Sequence, residues 1–233
     1  MLFRSTNPDD LKAILALRDY CRELDPRLEV RQGETGAPST AATFGALSGR
    51  AWTEFSQAKW DLRRMLAHHA EGLPFNLFTL MELNYNGRWN TKGLLRAKDD
   101  GTVPYPKPPY AAAQRAVSLF DSTVSRVSDA KIAASVDGLA LHLWRQGAEA
   151  RPLVTVWDKS APPGESGATK PVDLTVPAAG WHTPVLVDLM TGAVHSLPRS
   201  AWTIDGDTLR LTGVPVGDWP VVIAEREVVT LVP

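Results

Sequence analysis

The chain has 233 residues, of which 44% are hydrophobic and 22% are charged, and its formal net charge is -1. This length suffices for one large domain or two medium ones, and the near-neutral charge removes the general electrostatic argument for a nucleic-acid or anionic-membrane partner. The single cysteine, Cys21, excludes an intramolecular disulfide and a cysteine metal cage.

The ends of the chain and its apolar runs bear on where it works. No apolar run approaches the ~20 residues that a membrane-spanning helix needs. The N-terminal sequence MLFRSTNPDD also lacks the apolar core of a signal peptide. We therefore expect a soluble chain with no membrane segment. Its localisation stays unknown, because an export signal would lie on any preceding N-terminal part.

The first half of the chain alternates between helical and strand-like segments. In chain order the predicted segments are a helix over 7–24, a strand over 28–34, a helix over 52–72, a strand over 75–83 and a helix over 108–120. The first helix has Asn7 as its expected N-cap and Pro8 at its first position, and Gly72 is expected to end the second helix. The α-β-α-β-α order is typical of a doubly wound or barrel fold.

The second half, from about Arg126 onward, loses this helical periodicity. Short runs of mostly alternating polarity lie at 139–146, 152–158, 172–178, 183–190, 208–214 and 219–225. Turn-forming pairs such as Thr191-Gly192 and Asp205-Gly206 separate them. Short strands at this spacing predict an antiparallel β-sandwich. We therefore expect two domains, one over 1–126 and one over 127–233.

One acidic residue, Glu34, lies between Gly33 and Gly36 at the end of the first predicted strand. In an α/β barrel, catalytic side chains lie at the carboxyl ends of the strands. Strand alternation puts Gln32 and Glu34 on one face, and the two glycines permit bends and close approach of a ligand. A solvated turn is the alternative, because Gly-Glu-Thr-Gly is also ordinary loop composition.

Six motifs contain Glu34 or follow it: GETGAPST, FGALS, AWTEFSQAKWDLRRML, FNLFTLMEL, TKGLLRA and PKPPYAAAQRAVSLFD. Their order and spacing resemble the last part of a retaining glycoside hydrolase barrel of clan A, the group that includes family 5 and family 39 enzymes. The resemblance implies an α/β plus all-β fold. It would be the C-terminal portion of a (β/α)8 TIM barrel, about strands seven and eight with flanking helices, followed by an appended antiparallel β-sandwich. It also implies that Glu34, followed by Thr35-Gly36, is the nucleophile.

The resemblance further implies a second glutamate, the general acid/base, on a fourth barrel strand that this sequence does not contain. A whole barrel takes about 250 residues, and about half of that length precedes the predicted sandwich. We therefore expect the nucleophile-bearing C-terminal part of a glycoside hydrolase that cleaves O-glycosyl bonds in a carbohydrate substrate. It would be inactive alone and completed by an N-terminal barrel half, on the same or a partner chain. The alternative is a non-catalytic carbohydrate-binding or structural protein.

Four further residues are candidates for substrate binding: Glu82, Trp52, Tyr85 and Trp89. Glu82 would lie after the eighth barrel strand, where it could bind a sugar hydroxyl or be a structural carboxylate. The aromatic residues, together with Tyr105, lie on predicted loops or helix starts. Their ring faces suit the C–H faces of sugars, although packing is the alternative for each one.

The remaining motifs predict no metal or cofactor site. His68 and His69 are adjacent on a helix, so their side chains point about 100° apart, and HExxH spacing is absent. A solvated helix end is the expected environment of this pair. The segment GATKP lacks the Walker pattern, so no phosphate loop is predicted. Three histidines of the predicted sandwich are expected to have ordinary structural environments: His142, His182 and His195.

Overall fold

A computed structural model of the chain describes residues 5–41 and 45–229. The chain forms two compact units. Unit 1 comprises Met1–Ala111 and Pro162–Glu165, and unit 2 comprises Ala112–Ala161 and Ser166–Pro233. None of the helices in the described ranges is both long enough and apolar enough to cross a membrane.

The described residues of unit 1 form two helices and four short strands. They are α1 (Lys12–Leu24), β1 (Gln32–Thr35), α2 (Glu54–Ala70), β2 (Phe75–Leu77), β3 (Leu83–Tyr85) and β4 (Arg88–Asn90). β1 and β2 pair in parallel, as neighbouring strands do in the doubly wound or barrel fold that the α-β-α-β-α order predicts. β3 and β4 form an antiparallel hairpin whose turn residues, Asn86 and Gly87, have φ values of 54° and 85°. Positive φ at both central residues is what a type I′ turn requires.

Helix α1 begins at Lys12 rather than beside the predicted N-cap Asn7. The residues between them form a turn in which the backbone N–H of Asp10 donates to the carbonyl of Asn7 at 3.2 Å. The carboxylate of Asp9 is paired with the buried guanidinium of Arg63 on α2. The predicted start was wrong because a partner distant in the chain holds these residues in a turn.

Helix α2 is buried along almost its whole length, although many of its side chains are polar. The Thr53 side chain caps its N-terminus by accepting the N–H groups of Phe55 and Ser56, and Gly72, with φ of 61°, follows its end as predicted. Its buried polar side chains bind distant segments of unit 1. The acceptors are the Lys92 carbonyl for Gln57 (2.9 Å), the Gly164 carbonyl for Lys59 (3.2 Å), Asp9 for Arg63 and the Pro8 carbonyl for Arg64 (2.9 Å). α2 therefore links distant segments of unit 1 through hydrogen bonds and ion pairs of its buried polar side chains.

The histidine pair at the end of α2 is not the solvated helix end expected from the sequence. His68 is 0% exposed; its Nδ1 lies 2.9 Å from the Arg64 carbonyl oxygen, and its ring centroid lies 5.3 Å from that of Phe75. Burial lowers the pKa of His68 to about 4 and also lowers the pKa of His69. Among the described residues, no group of three or more potential metal ligands occurs.

The second predicted strand, over 75–83, is shorter in the structure, because β2 covers only its first three residues. Beyond β2, the backbone pairs with a later loop instead. The N–H groups of Leu94 and Leu95 donate to the carbonyls of Thr79 and Leu80 at 2.9 and 2.8 Å. Leu80 is 60% exposed, and the strand predicted over 75–83 was too long.

Up to Val229, where the described part of unit 2 ends, this unit contains most of helix α3 and ten strands. The elements are α3 (Pro108–Leu119), β5 (Val124–Arg126), β6 (Ala133–Ala134), β7 (Leu139–Gln146), β8 (Arg151–Asp158), β9 (Lys170–Pro177), β10 (Pro184–Asp188), β11 (Val194–Ser196), β12 (Trp202–Asp205), β13 (Thr208–Val216) and β14 (Val221–Glu225). Two short 3-10 helices lie at Arg199–Ala201 and Arg226–Val228. All six strands predicted from alternating polarity are present.

The strands of unit 2 form two antiparallel sheets. The larger sheet has the order β11-β10-β14-β8-β7-β5, and the smaller has the order β12-β13-β9-β6. Both contribute to one hydrophobic core, in which Val154, Val156 and Ile223 of the larger sheet and Leu174 and Leu209 of the smaller are at most 1% exposed. Unit 2 is therefore held by apolar burial between two sheets.

Candidate functional site

Glu34 is the third of the four residues of β1, and it is exposed. Two cavities of unit 1 share it as a lining residue, one of about 150 Å³ and one of about 10 Å³. Phe78 and Lys92 also line both cavities. Glu34, Phe78 and Lys92 therefore share a cavity wall at the end of the parallel strand pair.

The backbone around Glu34 is packed tightly against the segment that follows β2. The N–H of Phe78 donates to the carbonyl of Thr35 at 2.6 Å. A Cβ added to Gly36 would lie 2.3 Å from the Phe78 carbonyl oxygen, whereas a Cβ added to Gly33 would have no atom within 4 Å. The close approach that requires a glycine at position 36 is thus made by protein backbone rather than by a ligand.

The β3–β4 hairpin brings two sequence-predicted aromatic residues to the larger cavity. Tyr85, near the turn, is 49% exposed, and Trp89, on the opposite strand, is half-buried. Both line the cavity together with Glu34. An aromatic ring beside a carboxylate offers an apolar face and a hydrogen-bond acceptor in one place.

Trp52 and Tyr105 occupy other environments. Trp52 is 3% exposed, packs in a buried cluster with Ala37 and Trp60, and donates its indole N–H to the Leu47 carbonyl at 2.8 Å. It lines neither cavity, so the structure favours the packing alternative for this residue. The hydroxyl of Tyr105 donates to Glu54 at 2.9 Å, and this hydrogen bond is the main reason that the Tyr105 pKa is raised.

Glu82 is a buried carboxylate, 2% exposed, and lines neither cavity. Its Oε1 accepts from Lys107 Nζ at 3.0 Å, from Arg96 at 3.3 Å and from the Ser39 hydroxyl at 3.3 Å. Burial lowers the pKa of the Lys107 ammonium, and the neighbouring Glu82 carboxylate acts in the opposite direction. These contacts favour the structural alternative for Glu82 over a contact with a sugar hydroxyl.

Lys92 is a cavity residue that the sequence did not indicate. It is half-buried in the loop after β4, and its backbone holds the loop in place. Its N–H donates to the Asn90 side chain at 3.2 Å, and its carbonyl accepts from Gln57 of α2 at 2.9 Å. A lysine in a loop has no distinctive spacing, so only the fold reveals that Lys92 and Glu34 share a wall.

The arrangement suits a neutral polyhydroxylated ligand better than an anion or a metal ion. Tyr85 and Trp89 supply apolar faces, Lys92 is a donor, and Glu34 is an acceptor. Of the described residues that line the two cavities, Glu34 is the single carboxylate.

Comparison with known proteins gives a fold and no family. No protein-family model matches the chain, and no curated protein matches it in sequence. Among solved structures, it is similar to a GH51 arabinofuranosidase from Xanthomonas axonopodis pv. citri, with a TM-score of 0.51 and 12% identity over 94% of this chain and 45% of that one. A rhamnosidase from Novosphingobium sp. PP1Y gives a TM-score of 0.30 and 10% identity over 70% of this chain and 12% of that one, too low to support a shared fold.

The first similarity shows that the chain has a glycosidase-like fold, α/β together with a β-rich part. At 12% identity it shows the fold alone. The chain spans less than half of the arabinofuranosidase chain.

Proposed function

We propose that this chain is the nucleophile-bearing C-terminal part of a retaining glycoside hydrolase, with Glu34 as the nucleophile. The observation that carries the proposal is the place of Glu34 in a glycosidase-like fold. It lies where β1 ends beside its parallel neighbour and shares a cavity wall with Tyr85, Trp89 and Lys92. Reaction centres of α/β barrels lie at this end of the strands.

The finer assignment is a clan A enzyme of the family 5 or family 39 type. The β1–α2–β2 segment is a parallel strand–helix–strand unit, which fits about strands seven and eight of a (β/α)8 barrel. The two antiparallel sheets with a common core fit an appended β-sandwich. We propose residues 1–126 as the barrel portion and 127–233 as the sandwich.

Retaining hydrolysis requires two carboxyl groups about 5–5.5 Å apart, one to attack the anomeric carbon and one to protonate the leaving oxygen. Glu34 would make the attack and form the glycosyl-enzyme bond as the leaving oxygen departs with a proton from the second group. The buried Glu82, paired with Lys107, is unsuited to that second role. We propose that the acid/base lies on an N-terminal barrel half, on the same chain or a partner chain.

Two observations support the proposal of a missing N-terminal barrel half. They are the small volume of the cavity and an exposed apolar surface on α1. The larger cavity, about 150 Å³, is smaller than the ~300–1,000 Å³ typical of ligand sites, so unit 1 supplies only part of a pocket. Leu17, Tyr20 and Leu24 follow helical spacing on α1 and are 37%, 57% and 65% exposed. A stripe of this kind fits a neighbouring helix of the barrel.

The first test uses the purified chain and aryl glycosides, including aryl arabinofuranosides. General acid assistance is worth about 10²–10⁴-fold, and its loss together with part of the pocket should leave no measurable turnover. Turnover at ordinary enzyme rates by residues 1–233 alone would contradict the incomplete-site proposal.

The second test uses the chain combined with its N-terminal barrel half and a fluorinated glycoside that traps the covalent intermediate. Peptide mapping should place the label on the peptide that contains QGETG. Glu34→Gln keeps the side-chain shape and should abolish labelling and turnover, whereas Glu29→Gln, at an exposed acid that precedes β1, should label normally. Label on another carboxylate would remove Glu34 from the mechanism.

A non-catalytic carbohydrate-binding protein is the second candidate, favoured by the single carboxylate in the cavity walls. In that case, glycosides would perturb the NMR signals of Tyr85 and Trp89 in the isolated chain. Glu34→Gln would then lower affinity without changing any reaction rate, and addition of a barrel half would produce no labelling.

A further inference from the structure

Behind the strand end that carries Glu34 lies a second acid, Asp61 of α2, which is 1% exposed. Its Oδ1 accepts the backbone N–H of Ala37 at 3.1 Å. Its Oδ2 is buried and makes no hydrogen bond within the described ranges. A buried carboxyl oxygen without a partner is costly, and it is a place where chemistry other than packing can be expected.

Two cations face Asp61 from other elements, Lys107 before α3 and Lys92 after β4. Lys107 cannot serve it, because its ammonium already donates to the Ser39 hydroxyl, to Glu82 and to the Thr91 carbonyl, each at 3.0 Å. An ammonium has three protons, so these bonds exhaust its donors. Glu82 is the partner of Lys107, and Asp61 is left with a single backbone hydrogen bond.

Burial raises the pKa of the Asp61 carboxyl to about 8, although the Ala37 hydrogen bond and the two lysines act to lower it. The group is therefore neutral at pH 7 and becomes ionised under mildly alkaline conditions. An ionised Asp61 would place a charge in the protein interior that must recruit water or draw a cation towards Oδ2.

The backbone segment between Ala37, which Asp61 binds, and Glu34 is short and tightly packed. Ala37, held by Asp61, follows Gly36, and Gly36 is packed against the Phe78 carbonyl at a distance that admits no side chain. Thr35, between Glu34 and Gly36, is bonded to the Phe78 N–H. Only three peptide bonds therefore separate the amide that Asp61 holds from Glu34, and the residues between them contact the Phe78 backbone.

We propose that Asp61 positions the strand end that carries Glu34, and that loss of its proton changes that position. Asp61 is then a positioning residue whose protonation state regulates the cavity wall. The proposal does not depend on Glu34 being a nucleophile, because it concerns the geometry of the wall and not its reaction.

The test follows the Asp61 carboxyl carbon and the amides of Glu34, Gly36 and Ala37 by NMR of the labelled full chain between about pH 6 and 9.5. All four signals should shift together with one midpoint near pH 8. Asp61→Asn keeps an acceptor oxygen and cannot ionise, so its amide signals should match those of the wild type at pH 6 and show no such midpoint. Glu23→Gln, at an exposed acid of α1, should leave the titration unchanged.

Two outcomes overturn the proposal. One is a titration of Asp61 in which the Glu34 amide does not move, which would reduce Asp61 to a local structural group. The other is a Glu34 midpoint that persists in Asp61→Asn, which would assign the titration to another acid. Should Asp61→Asn fail to fold, the wild-type signals alone still decide whether Asp61 and Glu34 titrate together.

Discussion

The two units of the chain are stabilised by different chemistry. Unit 2 has long antiparallel strands that pack over an apolar core. The strands of unit 1 have three or four residues, and its helix α2 carries many buried polar side chains. Apolar burial scales with area and tolerates small changes, whereas a buried polar group is costly once its partner is lost. Unit 1 is therefore specified by individual pairings, and unit 2 by a repeated pattern.

Lys107→Ala should produce the largest difference in stability between the two units. It leaves the Glu82 carboxylate buried without its ammonium partner and should lower the free energy of unfolding of unit 1 by about 3–5 kcal/mol. Hydrogen exchange should show the loss in the amides of α2 and not in those of β8. The double variant Lys107→Met with Glu82→Leu should recover most of the loss. An equal loss of protection in both units would contradict separate stabilisation.

The pH dependence of unit 1 should come partly from Asp61, whose pKa burial raises from 3.8 to about 8. Because the folded chain holds this proton more tightly than the unfolded chain, the stabilisation is complete below about pH 4 and is lost as the pH rises to about 8. Between about pH 4.5 and 8.5 the wild type should lose on the order of 4 kcal/mol of unfolding free energy, which Asp61→Asn should keep because it cannot ionise.

Urea denaturation at the two pH values, read in the α2 amides, measures this difference. Glu23→Gln, at an exposed acid, serves as the matched control and should follow the wild type at both pH values. A difference between Asp61→Asn and wild type that is independent of pH would show that Asp61 is not neutral in the folded chain.

Gly36→Ala, directly after β1, and Gly33→Ala, within β1, form a matched pair. The first places a Cβ 2.3 Å from the Phe78 carbonyl oxygen, and the second meets no atom within 4 Å. We expect Gly36→Ala to destabilise unit 1 by about 1–3 kcal/mol and Gly33→Ala to change it by less than about 0.5 kcal/mol. Thermal denaturation monitored by α2 exchange distinguishes them, and similar losses for both would disprove the close approach at Gly36.

Among the substitutions expected to destabilise the chain, the smallest effect is in the apolar core of unit 2. Ile223→Val removes one methylene group from a side chain that is 0% exposed and should cost about 0.5–1.5 kcal/mol. The loss should be confined to the β-sheet amides of unit 2 in the same exchange experiment. A loss as large as that of Lys107→Ala would remove the contrast between the two units.

The pattern of unit 2 explains why the sequence predicted its strands well. β7, β8 and β13 have eight or nine residues, long enough for alternation to be visible. β5, β6, β11 and β12 have two to four residues and were missed, because a period of two cannot be recognised over so few positions.

The pairings of unit 1 explain what the sequence did not predict. Lys59, Arg63 and Arg64 are charges that normally indicate a solvated face, and their burial depends on partners 54 to 105 positions away in the chain. The same holds for the site. Glu34, Tyr85 and Trp89 were candidates from local pattern, whereas Lys92 joins them only through the fold.

The hydrogen bond between Lys59 and the Gly164 carbonyl has a consequence for the order of events at the ribosome. The two residues are 105 positions apart. At about 5–20 residues per second, Gly164 is made roughly 5–20 s after Lys59. During that interval the ammonium of Lys59 has to stay in water or bind elsewhere. The packing around α2 can therefore be completed only after much of the β-sheet region has been synthesised, although α2 lies in the first third of the chain.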